Sequence, residues 1–385
     1  MIQDPRIDSS VHGRLLRGGD ETTIPLHVAE LQFPTAEPII EELTALARTG
    51  EYGYTEPHDD FELIVQDWCR RRHRWEIESQ HVLLVPRVVH LLALLARSRF
   101  PRPPVVVTLS PQYGPTLEVL QRNGCEIRTV PLIESDGTWA IDMDGLAAAL
   151  VGADVLLLCS PHNPTGTVWP RDVLEFVAGL CAAHDVLVVA DEVHCDSVRQ
   201  GNHVPFGAVA RNGQRWLSCI APGKAFNLAG LETSAVICSD PELVQWLTAA
   251  LRAGGFHNAG VFGLRALKVA WTECDQWLDR TQAQLQSVMD RACAQLREKL
   301  PGLRPVPSGG TFLLWIDART VGDEHELRRW FVDEARVIPG FGSDFGTTYD
   351  GWLRLNLGIT EAALDDVLER LVRTAPVAAL SPRAR

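Results

Sequence analysis

Lysine is scarce in this sequence. Only three lysines occur among 385 residues, Lys224, Lys268 and Lys299, so arginine supplies nearly all of the positive charge. A guanidinium stays protonated, whereas a lysine amine can lose its proton and condense with a carbonyl. Lys268 lies in an amphipathic run, and Lys299 closes a helical run, where a cation is favourable. Lys224, in the turn at residues 222–230, is therefore the candidate for covalent chemistry.

Three further absences narrow the class of protein. Positive charge is not in excess, because the formal net charge is −13, which argues against nucleic acid or an anionic membrane as a partner. The nine cysteines form no CxxC pair, so neither a zinc site nor a disulfide framework is indicated. No apolar run approaches membrane-spanning length, and the first residues lack the apolar core of a signal peptide. With cysteines in apolar runs, this predicts a cytoplasmic protein.

Short apolar runs alternate with helix-length segments through the middle of the chain. The predicted strands there span residues 82–85, 104–109, 155–159, 186–190, 216–220 and 234–238. Their continuous hydrophobicity indicates strands buried on both faces, as in a parallel sheet covered by helices. The sequence therefore predicts an α/β fold with a mostly parallel central sheet.

The length of the chain predicts more than one domain. We expect residues 46–280 to form a large α/β domain and residues 281–385 a smaller α+β C-terminal domain. The predicted elements of the smaller domain are strands at 312–316 and 352–357, a helix at 324–335 and a turn at 339–342. Residues 1–45 are expected to pack on this smaller domain.

Four polar features follow or interrupt predicted strands. Asn163 lies in a rigid turn directly after the strand that ends at Cys159, Asp191 follows the strand at 186–190, and Lys224 follows the strand at 216–220. Arg354 interrupts an apolar strand in the smaller domain. Each residue also has a structural interpretation. Asn163 can belong to a simple turn, and Asp191 to a helix cap or a salt bridge. Lys224 can be a surface amine, and Arg354 a paired core arginine. Ligands in open α/β sheets bind at the carboxyl ends of the strands, which favours the functional interpretation.

The combination of these residues points to one cofactor. Pyridoxal phosphate needs a lysine to hold its aldehyde and a carboxylate to keep its ring nitrogen protonated. Lys224 and Asp191 are of those types, and Asn163 would hold the phenolic oxygen of the ring. A bidentate guanidinium such as Arg354 is the natural ligand for a substrate carboxylate.

These motifs resemble those of a known family. The chain from about residue 22 to 375 is similar to the fold-type I pyridoxal-phosphate enzymes of the aspartate aminotransferase superfamily. Within it, the sequence is most similar to the MalY/PatB-like cystathionine β-lyase, or carbon–sulfur lyase, branch. The segments that carry the resemblance are residues 53–55, 160–166 with Val168 and Trp169, 191–196, 224–230 and 354–356.

The resemblance implies roles around the cofactor ring. Lys224 condenses with the cofactor aldehyde and later shuttles the substrate proton. Asp191 pairs with the ring nitrogen, and Asn163 binds the phenolic oxygen with help from His194. Tyr113 stacks on the ring face.

The resemblance also implies contacts at the two ends of the bound molecules. Backbone amides around Val88 and Val89 hold the phosphate, together with Tyr54 from a partner subunit, so a homodimer is expected. Arg354 binds the α-carboxylate of a small amino-acid substrate.

The sequence departs from the pattern of the family in three places. Gly223 stands where relatives usually carry serine, and Arg87 stands where they have the glycine of a phosphate-binding turn. In the segment 27–33, the residues His27, Glu30 and Gln32 replace tryptophan and two aspartates. The cofactor chemistry is expected to be intact, while the substrate and the reaction outcome stay open.

The leading hypothesis is therefore α,β-elimination from a cysteine S-conjugate or a cystathionine-like thioether, giving a thiol, pyruvate and ammonia. One alternative is transamination or a decarboxylating or oxidative deamination of a related amino acid, in specialised, antibiotic-type metabolism. A second is a regulatory protein that binds the cofactor. Residues 30–33 and 340–346 are the predicted determinants of the substrate side chain.

Overall fold

The computed structural model describes residue 20 and residues 22–55, 60–306 and 309–381. Most of the first 21 residues of the predicted N-terminal segment lie outside the described residues. The described chain forms fourteen β-strands: β1 (Ile24–Leu26), β2 (Val82–Val85), β3 (Val105–Ser110), β4 (Glu126–Pro131), β5 (Ile133–Ser135), β6 (Thr138–Ala140), β7 (Val155–Cys159), β8 (Leu187–Asp191), β9 (Trp216–Ile220), β10 (Ser234–Cys238), β11 (Arg304–Val306), β12 (Leu313–Asp317), β13 (Val337–Phe341) and β14 (Trp352–Asn356).

Twelve α-helices accompany these strands in the described part of the chain. They are α1 (Glu37–Thr49), α2 (Phe61–His73), α3 (Val88–Ser98), α4 (Gly114–Arg122), α5 (Met143–Leu150), α6 (Arg171–Ala183), α7 (Pro241–Ala253), α8 (Val261–Glu273), α9 (Asp275–Lys299), α10 (Glu324–Arg328), α11 (Glu361–Arg373) and α12 (Val377–Leu380). None of the described helices is long and apolar enough to cross a membrane.

The large sheet has seven strands in the order β2-β10-β9-β8-β7-β3-β4. The run from β9 to β4 is parallel, and β10 pairs antiparallel with both β9 and β2. Every residue of β7 and β8 is buried, as expected for strands covered on both faces. The predicted α/β fold with a mostly parallel sheet is confirmed.

The small sheet has five strands in the order β1-β13-β14-β12-β11. It is mixed, because β1 is parallel to β13 while the other neighbours are antiparallel. The N-terminal strand β1 thus lies in a sheet built otherwise from the last third of the chain. The next element, α1, instead packs against α8 beside the large sheet. The domain boundaries at residues 45 and 280 stay a prediction.

The strand predictions hold best where the apolar runs are continuous. β2, β7, β9 and β10 begin and end at the predicted residues. The predicted turn at 339–342 is wrong, because β13 runs through Pro339 and Gly340 between β1 and β14. Pairing with strands on both sides overrides the local turn preference of proline and glycine. The predicted helix at 324–335 is α10 followed by a π-helical turn at Arg329–Glu334.

Candidate functional site

Three of the predicted residues meet at one edge of the large sheet. β7, β8 and β9 are adjacent and parallel, and the register pairs Cys159 with Asp191 and Asp191 with Cys219. Asn163 follows β7, Asp191 ends β8 and Lys224 follows β9. Their common location at the carboxyl ends of neighbouring strands is the usual place for a ligand in this architecture.

Arg354 reaches this edge from the small sheet. It lies on β14, and its side chain is almost wholly buried, with the residue 4% exposed. Its Nη1 donates a hydrogen bond of 2.9 Å to the side-chain oxygen of Asn163, and its Cζ lies 4.7 Å from the centre of the Phe345 ring. The guanidinium is thus held in a fixed orientation between the two sheets.

The charged form of the Lys224 amine is disfavoured in this site. The pKa of Lys224 is lowered from 10.5 to about 8, first because burial disfavours the charged form and then because of the Arg354 charge. The Arg87 charge also lowers this pKa, while the carboxylates of Glu30 and Asp191 oppose the change. The Nζ atom donates a hydrogen bond of 2.8 Å to the carbonyl oxygen of Ala29. A neutral amine is the form that condenses with an aldehyde or accepts a proton.

Asp191 is a buried carboxylate with few donors. Within the described residues, its one hydrogen bond comes from the Val193 amide at a long 3.4 Å, and the residue is 6% exposed. Burial raises the pKa of Asp191 to about 6, and the Lys224 charge opposes that rise. A buried carboxylate with one long hydrogen bond is poorly satisfied, and the protonated ring nitrogen of pyridoxal phosphate would supply a close cationic N–H partner.

His194 and Tyr113 lie near the same charges. The His194 ring packs edge-on against Phe312 with centroids 5.9 Å apart. The pKa of His194 is held well below its usual value by burial and by the Lys224 and Arg354 charges, so the ring is neutral. Burial raises the pKa of Tyr113, whose hydroxyl also feels the Arg354 and Asp191 charges.

Val88 and Val89 are the first two residues of α3. The amides of the next two residues, His90 and Leu91, both donate to the Arg87 carbonyl, so the helix begins sharply. The first amides of a helix have no acceptor within it and attract anions, phosphate above all. This N-terminus fits the predicted phosphate anchor.

Tyr54 does not lie in the cluster. The residue is 97% exposed, in a segment without regular structure before α2. Its role in a partner subunit stays a prediction.

Sequence reasoning missed how the segment at residues 27–33 is held, and we call this segment the strap. Arg354 Nη2 donates to the His27 carbonyl at 2.5 Å, and Asn356 Nδ2 donates to the Glu30 carbonyl at 2.7 Å. Asn227 makes two more bonds, to the backbone of Leu31 and Phe33. Because these bonds go to backbone atoms, the sequence carries no signal for them beyond the presence of asparagine in the two motifs.

Comparison with known proteins identifies the family. Residues 21–371 match aminotransferase class I and II, and the chain belongs to this family. It is 32% identical to cystathionine beta-lyase PatB of Bacillus subtilis and 29% identical to Protein MalY of Escherichia coli, with 92% of each chain covered in both cases. A PLP-bound putative aminotransferase of Clostridium difficile 630 superposes with a TM-score of 0.92 at 27% identity, with 96% of each chain covered.

The comparisons confirm the family, its PatB/MalY branch and the cofactor that the sequence predicted. The protein is a pyridoxal-phosphate enzyme of the cystathionine β-lyase-like branch of the aminotransferase fold. The donor set described above fits that cofactor, because an amine of lowered pKa and a buried carboxylate lie at one sheet edge with a helix N-terminus.

Proposed function

We propose that this enzyme is a carbon–sulfur β-lyase that eliminates a thiol from a cysteine S-conjugate or cystathionine-like thioether. The observation that carries the proposal is the Lys224 amine, with a pKa of about 8, at the sheet edge where Arg354 is fixed by Asn163. Similarity to PatB and MalY over 92% of the chain supports the choice of the lyase branch. When bound, pyridoxal phosphate supplies the electron sink for negative charge at the substrate α-carbon.

Arg354 would fix the substrate by its α-carboxylate. The guanidinium already has one amino group on Asn163 and the other on the His27 carbonyl. A carboxylate can replace the carbonyl oxygen and make a stronger, charge-assisted pair. This exchange places the α-carbon near Lys224 and shields it from water with the strap.

Lys224 would then move the proton. Its amine, with a pKa of about 8, accepts the α-proton near neutral pH, which breaks the C–H bond. The electron pair that remains expels the sulfur as a thiolate as the C–S bond breaks. The aminoacrylate released by the enzyme hydrolyses in water to pyruvate and ammonia, so no oxidant or reductant is needed.

The other site residues would hold the cofactor. Asp191 keeps the proton on the ring nitrogen, because its raised pKa shows a strong demand for a cationic partner. Asn163 and the neutral His194 would bind the phenolic oxygen, and Tyr113 would stack on the ring. Val88 and Val89 would bind the phosphate through their amides.

The proposal includes a homodimer that works in the cytoplasm. Tyr54 is fully exposed on one chain, which suits a residue that acts in the site of a partner subunit. All nine cysteines are free and eight of them are buried, which suits a reducing compartment.

The test is product analysis with a panel of cysteine thioethers, including cystathionine and S-alkyl cysteines. The purified holoenzyme is expected to release equal amounts of thiol and pyruvate from at least one of them. Lys224→Ala should abolish the release, whereas Lys268→Ala, at a half-exposed helix residue, should keep it. Absence of both thiol and pyruvate across the panel would refute the lyase proposal.

The second candidate is transamination or oxidative deamination at the same site. It is favoured by the strap, which departs from the family at His27, Glu30 and Gln32 and whose backbone accepts hydrogen bonds from Lys224 and Arg354. Formation of pyridoxamine phosphate, release of carbon dioxide or consumption of oxygen in the same assays would identify it.

A further inference from the structure

Arg87 lies directly before the predicted phosphate anchor. It is the N-cap residue of α3, with extended backbone angles, and its side chain makes no capping hydrogen bond. The side chain is half-exposed, and its Nη2 donates at 2.6 Å to Oε1 of Glu232. Nothing in the proposed reaction uses this guanidinium.

The Arg87 side chain bridges α3 to the loop that carries Lys224. Glu232 ends the 3₁₀ turn at Ala229–Leu231, which folds back on that loop. A Cβ atom added to Gly223 would lie only 3.3 Å from the Ala229 Cα, so the turn covers the residue before Lys224. That residue has no side chain, so this part of the loop offers backbone and no hydroxyl.

The charge of Arg87 acts on the pKa values of two groups of the site. It lowers the pKa of the Lys224 amine and acts in the same direction on the Tyr113 hydroxyl. A cation near both groups has this effect, and the Arg354 charge acts on both as well, from the small sheet. The position of Arg87 follows from its backbone at the N-cap of α3 and its side chain on Glu232, which place it between the N-terminus of α3 and the loop that carries Lys224.

A phosphate ester bound in this sector needs positive charge. It carries a charge of about −1.5 to −2 at neutral pH, and a helix N-terminus supplies only about half a unit. Lys224 condenses with the aldehyde, and Arg354 is held by Asn163 on the small-sheet side, so neither binds the phosphate. Of the cations that act on the Lys224 pKa, Arg87 is therefore the one that can bind the phosphate.

We propose that Arg87 is a direct ligand of the phosphate of pyridoxal phosphate. On binding, its guanidinium would exchange the carboxylate of Glu232 for the phosphate, so Glu232 competes with the cofactor for Arg87. The exchange costs little, because an ion pair between half-exposed side chains contributes little to stability. The proposal rests on the cofactor and the α3 anchor of the proposed function, but not on which bond the enzyme breaks.

The test compares two ligands that differ only in the phosphate. Apoenzyme is titrated with pyridoxal phosphate and with pyridoxal, and binding is followed by absorbance. We expect Arg87→Ala to weaken binding of pyridoxal phosphate about tenfold or more, as for loss of a charge-assisted bond. Pyridoxal binding should weaken far less, because Arg87 is the smallest of the causes that act on the Lys224 pKa. Arg87→Lys should recover part of the loss, and Glu232→Gln should tighten pyridoxal phosphate binding severalfold.

The matched control is Arg99→Ala. Arg99 lies at the other end of α3 and pairs with Glu242 at 2.9 Å, so its loss removes an arginine–glutamate pair of the same helix away from the phosphate. It should leave the affinity for both ligands unchanged. Equal weakening of both ligands in Arg87→Ala, or no weakening, would overturn the assignment. Unchanged affinity in Glu232→Gln would overturn the competition. Both affinities are measured without turnover, so they test the role of Arg87 even if the lyase proposal fails.

Discussion

The Lys224 amine should titrate far below an ordinary lysine in the cofactor-free protein, and Arg354→Met should raise its pKa. Burial is the largest cause of the lowered pKa, and the Arg354 charge is the next. Methionine has a similar length and no charge, so the variant removes the second cause while keeping most of the packing.

The size of the effect follows from the pKa itself. A change from 10.5 to about 8 corresponds to roughly 3 kcal/mol of interaction that disfavours the charged amine. At pH 7.5 about a quarter of the amines would be neutral, against about one in a thousand for an ordinary lysine. Because the pKa of Lys224 is lower in the folded state, the fold is penalised below about pH 8, and the penalty is lost as the pH rises towards 10.5.

The scarcity of lysine makes this pKa measurable. Reductive methylation with ¹³C-formaldehyde labels the lysine amines, and each dimethylamine gives an NMR signal that moves with its own titration. Three lysines and the N-terminal amine contribute, so Lys224→Arg, Lys268→Arg and Lys299→Arg, each removing one signal, assign the spectrum. The same labelled protein in urea gives the unfolded reference.

Two results would refute the reasoning about Lys224. If its signal titrates at the same pH in folded and urea-unfolded protein, burial does not disfavour the charge. If Arg354→Met leaves the folded pKa unchanged, the Arg354 charge does not act on the amine, and the proposed proton transfer needs another explanation.

Two further predictions concern Asp191 and the strap. Asp191→Asn should stabilise the cofactor-free protein in urea by up to roughly 3 kcal/mol at pH 8, because burial raises the pKa of the carboxyl to about 6. The gain should shrink as the pH falls from 6 towards 3.8, and an equal gain at pH 8 and pH 4 would contradict this cause. Asn227→Ala should speed hydrogen exchange of the Leu31 amide at least tenfold, since about 1 kcal/mol is lost per bond. Asn227→Gly keeps the backbone at φ +57° unstrained, so slow exchange in that variant would show that the side-chain bonds do not hold the strap.

The part of the candidate site that the sequence could predict is the part with local signals in the chain. The apolar runs of β7, β8 and β9 are continuous, and each is followed directly by a polar residue of a distinctive type. Parallel order then brings Asn163, Asp191 and Lys224 to one edge without any knowledge of packing. Arg354 was predicted from the one charge in an apolar strand of the smaller domain, but no local rule could join that strand to this edge.

Sequence reasoning failed where long-range contacts decide the structure. β13 was predicted as a turn because proline and glycine dominate the local pattern, yet its neighbours β1 and β14 pair with it from both sides. β1 lies more than 300 residues from β13 in the chain, so nothing near residue 339 predicts that pairing. The hydrogen bond from Arg354 to the His27 carbonyl also joins residues more than 300 positions apart and was missed for the same reason.

The way the strap is anchored explains why it departs from the family without losing its place. Lys224, Arg354 and Asn356 all donate to its backbone carbonyls, which any residue supplies. These three bonds hold the strap over the site through its backbone, and they do not depend on which side chains stand at residues 27, 29 and 30. Two of those anchors are also groups that the proposed reaction uses, so a substrate must displace the strap's carbonyls when it binds. In the proposed reaction the side chains of the strap would then meet the incoming substrate, which supports residues 30–33 as predicted determinants of the substrate side chain.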